Sequence, residues 1–270
     1  MARYKKKRAR ELQHDRFRDT TIGLFDRLGN RLEGRGKTIL YGIVGVVLAA
    51  VLIGMFVSWR NRKADEARRA LGRAITIAST PVASTPGLDP SLTSYATERE
   101  RAQKAIEEFE KVAAKYGDPY RTEARFFIAT NRLYLERDKA VNELTEISRS
   151  SNRDIATLAK FALAQAYEND AKYEEAAQIY RELASQNNPL VTTETANLRL
   201  ALVYEKQDKK KEAADILFQI VDTARKAKDS DGSPLPQSAA AREASRELQK
   251  IDPDRFAQLP PDAPGAGITF

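Results

Sequence analysis

The chain has 270 residues, of which 31% are charged and none is cysteine, so disulfides, thiolate metal sites and thiol nucleophiles are excluded. The net charge of +7 lies entirely in residues 1–37, which hold 12 Lys and Arg against 5 Asp and Glu, whereas the remainder holds 33 of each sign. A nucleic-acid-binding fold would spread its excess positive charge over the folded domain. We therefore expect no nucleic-acid partner.

The first predicted element is a transmembrane helix over residues 38–59, a stretch without a charged side chain. At about 1.5 Å per residue it covers about 33 Å, enough to cross the core of a lipid bilayer. Tyr41 and Trp59 lie near its ends, where aromatic side chains prefer the lipid–water interface. A cleaved signal peptide would have a shorter apolar stretch and small residues at its end, whereas Ser58, Trp59 and Arg60 follow here. The sequence predicts an uncleaved anchor.

Small residues within the span predict a face for close helix packing in lipid. Gly45 is four residues before Ala49, and Ala50 is four residues before Gly54. Spacings of this kind allow two helices to approach closely in a membrane, although Gly and Ala are common in such spans.

The orientation of the span follows from the basic tail at residues 1–37. Within fifteen residues the flanks carry 4 basic residues before the span and 6 after it, which slightly favours an outward N-terminus. Long domains, however, cross a membrane largely regardless of flanking charge, whereas short basic tails do not. We predict a single-pass protein of the bacterial inner membrane with a cytoplasmic tail and a periplasmic C-terminal domain.

Four alanines repeat through the rest of the chain. Ala105, Ala140, Ala176 and Ala213 are separated by 35, 36 and 37 residues, and this period in helical sequence predicts stacked helical hairpins. Apolar residues follow each alanine at four and seven positions, on the same helical face: Phe109, Val112, Leu144, Ile147, Tyr180, Leu183, Leu217 and Ile220. On the preceding helices the expected small contacts are Gly72, Ala129, Ala164 and Ala201.

The predicted repeat domain occupies residues 60–250. The anchor helix continues to about residue 79, a loop rich in Pro, Ser and Thr follows, and a return helix covers 94–116. Three further hairpins are predicted as helices 120–136 with 138–150, 154–169 with 172–187, and 191–206 with 209–228. A helix over 237–250 is expected to cap the open end of the core, and residues 251–270 to form a flexible tail.

The third and fourth repeats resemble the tetratricopeptide repeat family. The matching residues are Leu163, Ala164, Tyr167, Ala176, Tyr180 and Pro189 in one repeat, and Leu200, Ala201, Tyr204, Ala213 and Leu217 in the next. The second repeat departs from the pattern, because Arg132 stands where an aromatic residue is usual, and the first has an enlarged loop. The resemblance implies an all-α, tetratricopeptide-like helical-hairpin solenoid after the single transmembrane helix, with protein binding as its function.

The order of basic tail, single span and tetratricopeptide-like domain resembles the ancillary subunit of the bacterial Sec translocon. That resemblance implies translocon subunits and periplasmic folding factors as partners, and assistance to translocated or folding proteins as the function. Residues 109–134 are also similar to envelope scaffolds of outer-membrane assembly or cell division. The alternative is therefore a scaffold subunit of a cell-envelope complex that binds no unfolded clients.

Residues suited to catalysis are scarce. His14 is the only histidine and lies in the basic tail, so the sequence offers almost no residues for a catalytic or metal site built on histidine. The acidic turn at residues 229–232 has its glycine in the wrong place for a calcium loop, and no Gly-rich phosphate loop occurs. We predict that the protein is not an enzyme and has no cofactor or metal.

A binding groove is expected on the first helix of each hairpin, which lines the concave face in this repeat class. The candidates are Phe126, Thr130, Phe161, Gln165, Leu198 and Leu202. They lack the Lys and Asn arrangement with which family members hold a terminal carboxylate, and their mixed character suits apolar, extended or partly folded segments. The alternative is that Phe126, Phe161 and Leu198 are core residues, since register errors of one or two positions are normal.

Overall fold

A computed structural model describes residues 36–82, 94–186 and 188–261. The predictions for residues 1–35, for most of the loop after residue 82 and for the last nine residues lie outside this part. Every regular element in the described ranges is a helix: α1 Gly36–Ser79, α2 Glu98–Lys115, α3 Tyr120–Arg132, α4 Arg137–Ile147, α5 Arg153–Asn169, α6 Tyr173–Ser185, α7 Thr193–Lys206, α8 Lys210–Lys226, α9 Ala239–Ile251 and α10 Pro253–Phe256. The all-α prediction is confirmed.

The chain divides into two compact units between Asp65 and Glu66. The described part of the first unit belongs to α1, a helix long and apolar enough to cross a membrane. Its side chains from Tyr41 to Arg60 are all exposed, and nothing lies within 4 Å of a Cβ placed on Gly45 or Gly54. The small faces predicted in the span therefore have no contact within the described part of this chain, and helix packing in lipid stays a prediction.

The second unit is a row of antiparallel helical hairpins. Each helix from α2 to α9 packs on the next, and α3 also packs on α5, as α7 does on α9. Side-chain caps mark the start of several helices, because the hydroxyl or amide oxygen of Asn152, Thr192 and Ser238 accepts from the backbone N–H three residues later. The hairpins continue to α8, and α9 covers the end of the row as predicted.

The tight turns inside the third and fourth hairpins have the same backbone hydrogen bonds. Ala171 and Asp208 take positive φ angles of 58° and 61°. The N–H of the following residue donates to the carbonyl five positions earlier, from Lys172 to Tyr167 at 2.9 Å and from Lys209 to Tyr204 at 2.9 Å. This is the Schellman ending of a helix, and its recurrence shows that the two hairpins are structural repeats.

The repeated alanines lie where the sequence predicts them. Ala105, Ala140, Ala176 and Ala213 are fully buried, and all eight of the apolar residues that follow them are buried too. The small residues of the opposing helices are likewise buried at Ala129, Ala164 and Ala201. Close approach of paired helices at alanine is therefore the packing principle of this domain.

The first hairpin departs from the predicted register. Gly72 is exposed, and a Cβ added to it would meet nothing within 4 Å. The buried face of α1 is formed instead by Ala67, Leu71 and Ala74, which are spaced four and three residues apart and so share one side of a helix. Because Leu71 and Ala74 join the core of Ala105 and Phe109, the close contact expected at Gly72 is supplied by its neighbours.

Arg132, the departure in the second repeat, is buried among carboxylates. Its guanidinium forms ion pairs with Glu143, with Glu110 at 3.4 Å and with Glu136 at 3.9 Å. An ionic cluster thus replaces the aromatic packing that is usual at this position.

The last described residues pack on the domain. Helix α10 follows α9, and Leu259 is buried in the core that contains Leu217 and Leu248. The Arg225 side chain donates a hydrogen bond to the carbonyl oxygen of Pro260. The predicted tail at 251–270 therefore differs from the structure up to residue 261, because Leu259 fills the open end of the apolar core.

Candidate functional site

A cavity of about 520 Å³ lies in the second unit, between residues contributed by successive hairpins. Its lining is dominated by guanidinium and amide side chains: Arg101, Arg137, Arg199, Asn131, Gln165 and Asn169. Thr130, Tyr134, Leu133 and alanines complete it, and no Asp or Glu is among the described lining residues. We call this site the arginine groove.

Arg137 is fixed in place by the hairpin that follows it. Its Nε donates to Asp170 Oδ1 at 2.5 Å, and its Nη2 donates to the carbonyl oxygen of Ala166 at 2.7 Å. The side chain thereby joins the start of α4 to the end of α5, and Asp170 balances its charge.

Arg199 belongs to an ion network centred on the buried carboxylate of Glu168. Arg199 Nη2 lies 2.5 Å from Glu168 Oε2, and Lys206 Nζ lies 2.8 Å from Glu168 Oε1. The Tyr180 hydroxyl donates to Glu168 Oε2 at 3.2 Å. The network therefore links α5, α6 and α7 across the boundary between two hairpins.

The network shifts the titration of its members. Burial alone would raise the pKa of Glu168, but the hydrogen bond from Lys206 and the positive charge of Arg199 outweigh it and hold that pKa below its ordinary value. Burial and the nearby carboxylate raise the pKa of the Tyr180 phenol. Glu168 is accordingly a carboxylate, and Tyr180 a neutral donor, at neutral pH.

Arg101 has the weakest contacts of the three arginines that line the groove. Its Nη1 is 3.5 Å from the carbonyl oxygen of Thr80, at the limit of a hydrogen bond, and its Cζ lies 6.0 Å from the centre of the Tyr134 ring. No carboxylate of the described residues forms an ion pair with it. The Nε–H groups of Arg101 and Arg199 are both buried without a hydrogen-bond partner among the described atoms, a state that costs about 1–3 kcal/mol per group.

The groove carries a surplus of positive charge. The three lining arginines, together with Lys206 beside Arg199, are four cations, and the ion pairs that they form are with two described carboxylates, Glu168 and Asp170. Counted over these groups, four cations meet two carboxylates. The arrangement is therefore suited to hold an anionic ligand by charge-assisted hydrogen bonds.

The structure separates the six residues predicted for the binding groove. Thr130 and Gln165 line the arginine groove. Phe126 and Leu198 are buried in core clusters, Phe161 packs edge-on against Tyr180 with ring centres 5.9 Å apart, and Leu202 packs on the core of the fourth hairpin. Contact of any of the six with a partner stays a prediction.

The arginines were missed by reasoning from the sequence. Arg199 lies one helical turn before Leu202 on α7, and so on the same face as a predicted groove residue. Its long charged side chain could have been included on that ground, but the repeat register selected only the positions that match other repeats. Arg101 and Arg137 belong to α2 and α4, the second helices of their hairpins. No rule that assigns the groove to first helices finds them.

Comparisons with known proteins find similarity in the fold and no match in the sequence. The sequence matches no protein-family model and no curated protein. Two crystal structures of nearly identical TPR-like repeats from a Podosopora anserina protein described as a putative kinesin light chain, one of them a point variant, match at 16% identity. Each match has a TM-score of 0.49 and covers 72% of this chain and 88% of the other.

The fold defines the class of the protein. It is an all-α protein in which tetratricopeptide-like helical hairpins follow one long apolar helix. Stacked helical hairpins of this kind form extended concave surfaces that can bind other polypeptides.

Proposed function

We propose that this protein is a membrane-anchored, extracytoplasmic protein-binding module that holds polypeptide segments in the arginine groove. The observation that carries the proposal is the groove itself, a cavity built from several hairpins and lined mainly by guanidinium and amide side chains. It contains no pair of catalytic groups among its described lining residues, and binding rather than chemistry is the role that we assign to it.

The anchor supports a location at the inner membrane. The apolar part of α1 is exposed and long enough to cross a bilayer, and the basic residues of the tail favour retention of the N-terminus in the cytoplasm. With the domain in the periplasm, anchoring raises its effective concentration for any partner at the membrane. Polypeptides emerging from the Sec translocon are the first candidate partners.

A scaffold subunit of a cell-envelope complex is the second candidate, and the chemistry of the groove favours it. Unfolded clients expose mainly apolar segments, whereas this lining is rich in guanidinium and amide groups. Buried polar groups discriminate strongly against ligands that leave them unpaired. A defined partner segment therefore suits the groove better than a range of unfolded chains.

Site-specific crosslinking in membranes tests the proposal. A photoreactive phenylalanine analogue at Gln165, in the groove, is compared with the same group at Gln178, which is exposed on α6 and outside the groove. We expect a discrete adduct at Gln165 only. Translocon subunits or nascent chains in the adduct would support the first candidate and a stable envelope protein the second, whereas equal or absent adducts at both positions would contradict groove binding.

A further inference from the structure

The arginine groove selects its ligand by charge. Arg101 has no carboxylate partner among the described residues, and Arg199 shares Glu168 with Lys206. A ligand that brings two negative charges would neutralise the surplus, and a guanidinium group binds carboxylates in a fixed planar geometry. A neutral or basic segment would leave the cations uncompensated in a partly buried site.

The amides of the groove distinguish a peptide from a simple anion. Gln165 and Asn169 each carry a donor and an acceptor, and a peptide backbone offers the complementary carbonyl and N–H groups. Asn131 Nδ2 already donates to the carbonyl oxygen of Phe127 at 2.8 Å, so that amide has its oxygen and one N–H left to offer. Gln165 and Asn169 are four residues apart on α5, so they lie on the same face of that helix. Leu133 and Ala162 also line the groove and offer apolar contact to the aliphatic part of a bound segment.

We infer that the arginine groove binds an acidic polypeptide segment, with at least two carboxylates, in extended conformation. This inference rests on the proposed function and names the chemistry of its partner. It differs from the expectation of an apolar segment, because Phe126 and Leu198 lie in the core and arginines line the groove. The carboxylates pair with Arg101 and Arg199, and the amides pair with the backbone between them.

Peptide binding by the full-length chain in detergent tests the inference. The probe is a fluorescein-labelled nonapeptide of Ser and Gly with two Asp residues, and the control probe has Asn in place of Asp. We expect the acidic peptide to bind at least about ten times more tightly at low salt, with this advantage falling as salt is added.

Variants assign the binding to the groove. Arg101→Gln removes a guanidinium without leaving a described carboxylate unpaired, so the fold is retained and affinity for the acidic peptide falls about tenfold. The matched control is Arg246→Gln, which removes the same charge from an exposed position on α9 outside the groove and leaves the affinity within about twofold. Thermal unfolding of both variants verifies that they are folded.

Three outcomes would overturn the inference. Equal affinity for the Asp and Asn peptides would show that charge does not select the ligand. Inorganic phosphate competing as effectively as the acidic peptide would show a simple anion site. Failure of both peptides, together with a discrete partner crosslinked at Gln165, would reject the acidic segment while retaining protein binding, whereas absence of that adduct as well would reject the proposed function too.

Discussion

Replacement of Glu168 by glutamine tests how far the ion network around this buried carboxylate holds neighbouring hairpins together. Only 4% of the Glu168 side chain is exposed, and it pairs with Arg199 at 2.5 Å and with Lys206 at 2.8 Å. In Glu168→Gln the new amide would keep the shape of the side chain, so no cavity forms, but the substitution would leave two cations without their counter-charge.

The expected magnitude follows from the exposure of the two cations. Removing one partner of a fully buried ion pair costs about 3–5 kcal/mol. The side chains of Arg199 and Lys206 are 28% and 46% exposed, so both regain part of their hydration, and we expect a loss of about 2 kcal/mol. In a domain of this size about 2–4 °C of melting temperature corresponds to each kcal/mol, which gives a decrease of about 4–8 °C.

The assay is thermal unfolding of the full-length chain in detergent, monitored by circular dichroism. The control is Glu108→Gln, which breaks the exposed pair with Lys111 on α2 and is expected to change stability by less than about 0.5 kcal/mol. A melting temperature for Glu168→Gln equal to that of the control would refute the structural role of the network.

The pH dependence of the same variant has a definite sign. The pKa of Glu168 is lowered by folding, so its contribution is fully present above the ordinary value of about 4.3 and is lost as pH falls through the folded pKa. The difference in the free energy of unfolding between the native chain and Glu168→Gln should therefore be constant between about pH 5 and 7 and become smaller below about pH 4. A difference that grows as the pH falls would contradict the lowered pKa.

Two further substitutions test the packing by the same thermal assay. Ala176→Leu forces a larger side chain into the fully buried contact between α5 and α6 and is expected to lower the free energy of unfolding by about 1–3 kcal/mol or more. Its control, Gln178→Leu on the exposed face of α6, should change that free energy little, and equal effects of the two substitutions would contradict the close contact. Leu259→Ala removes a buried side chain from the end of the core and is expected to cost about 2–3 kcal/mol, against less than about 0.5 kcal/mol for the exposed Leu235→Ala; a neutral Leu259→Ala would show that residues beyond α10 do not stabilise the domain.

The hairpins were predictable because their signal is periodic. Ala105, Ala140 and Ala176 recur with nearly constant spacing, and a helix can place an alanine and the residues four and seven positions later on one face. The prediction that Gly72 forms the close helix contact was wrong, because a small residue does not by itself determine which face of a helix is buried. The face of α1 is decided by Ala67, Leu71 and Ala74 together.

The groove was less predictable because its chemistry depends on contacts between separate hairpins. Thr130 and Gln165 followed from the repeat register and line the cavity. Arg101 reaches it from a second helix, and its contacts depend on the approach of Thr80 and Tyr134, which no spacing rule in one repeat encodes. A charged lining assembled from different helices is visible only once the hairpins are stacked.

The location of the repeat domain outside the cytoplasm, held by α1, is the claim on which the proposed function depends. Because the chain has no cysteine, single cysteines at Ser230, an exposed residue after α8, and at Thr20 in the basic tail give unambiguous labels. We predict that a membrane-impermeant maleimide added to intact bacterial spheroplasts labels Ser230→Cys at once and Thr20→Cys only after detergent is added. Protection of Ser230→Cys until lysis would contradict an extracytoplasmic repeat domain.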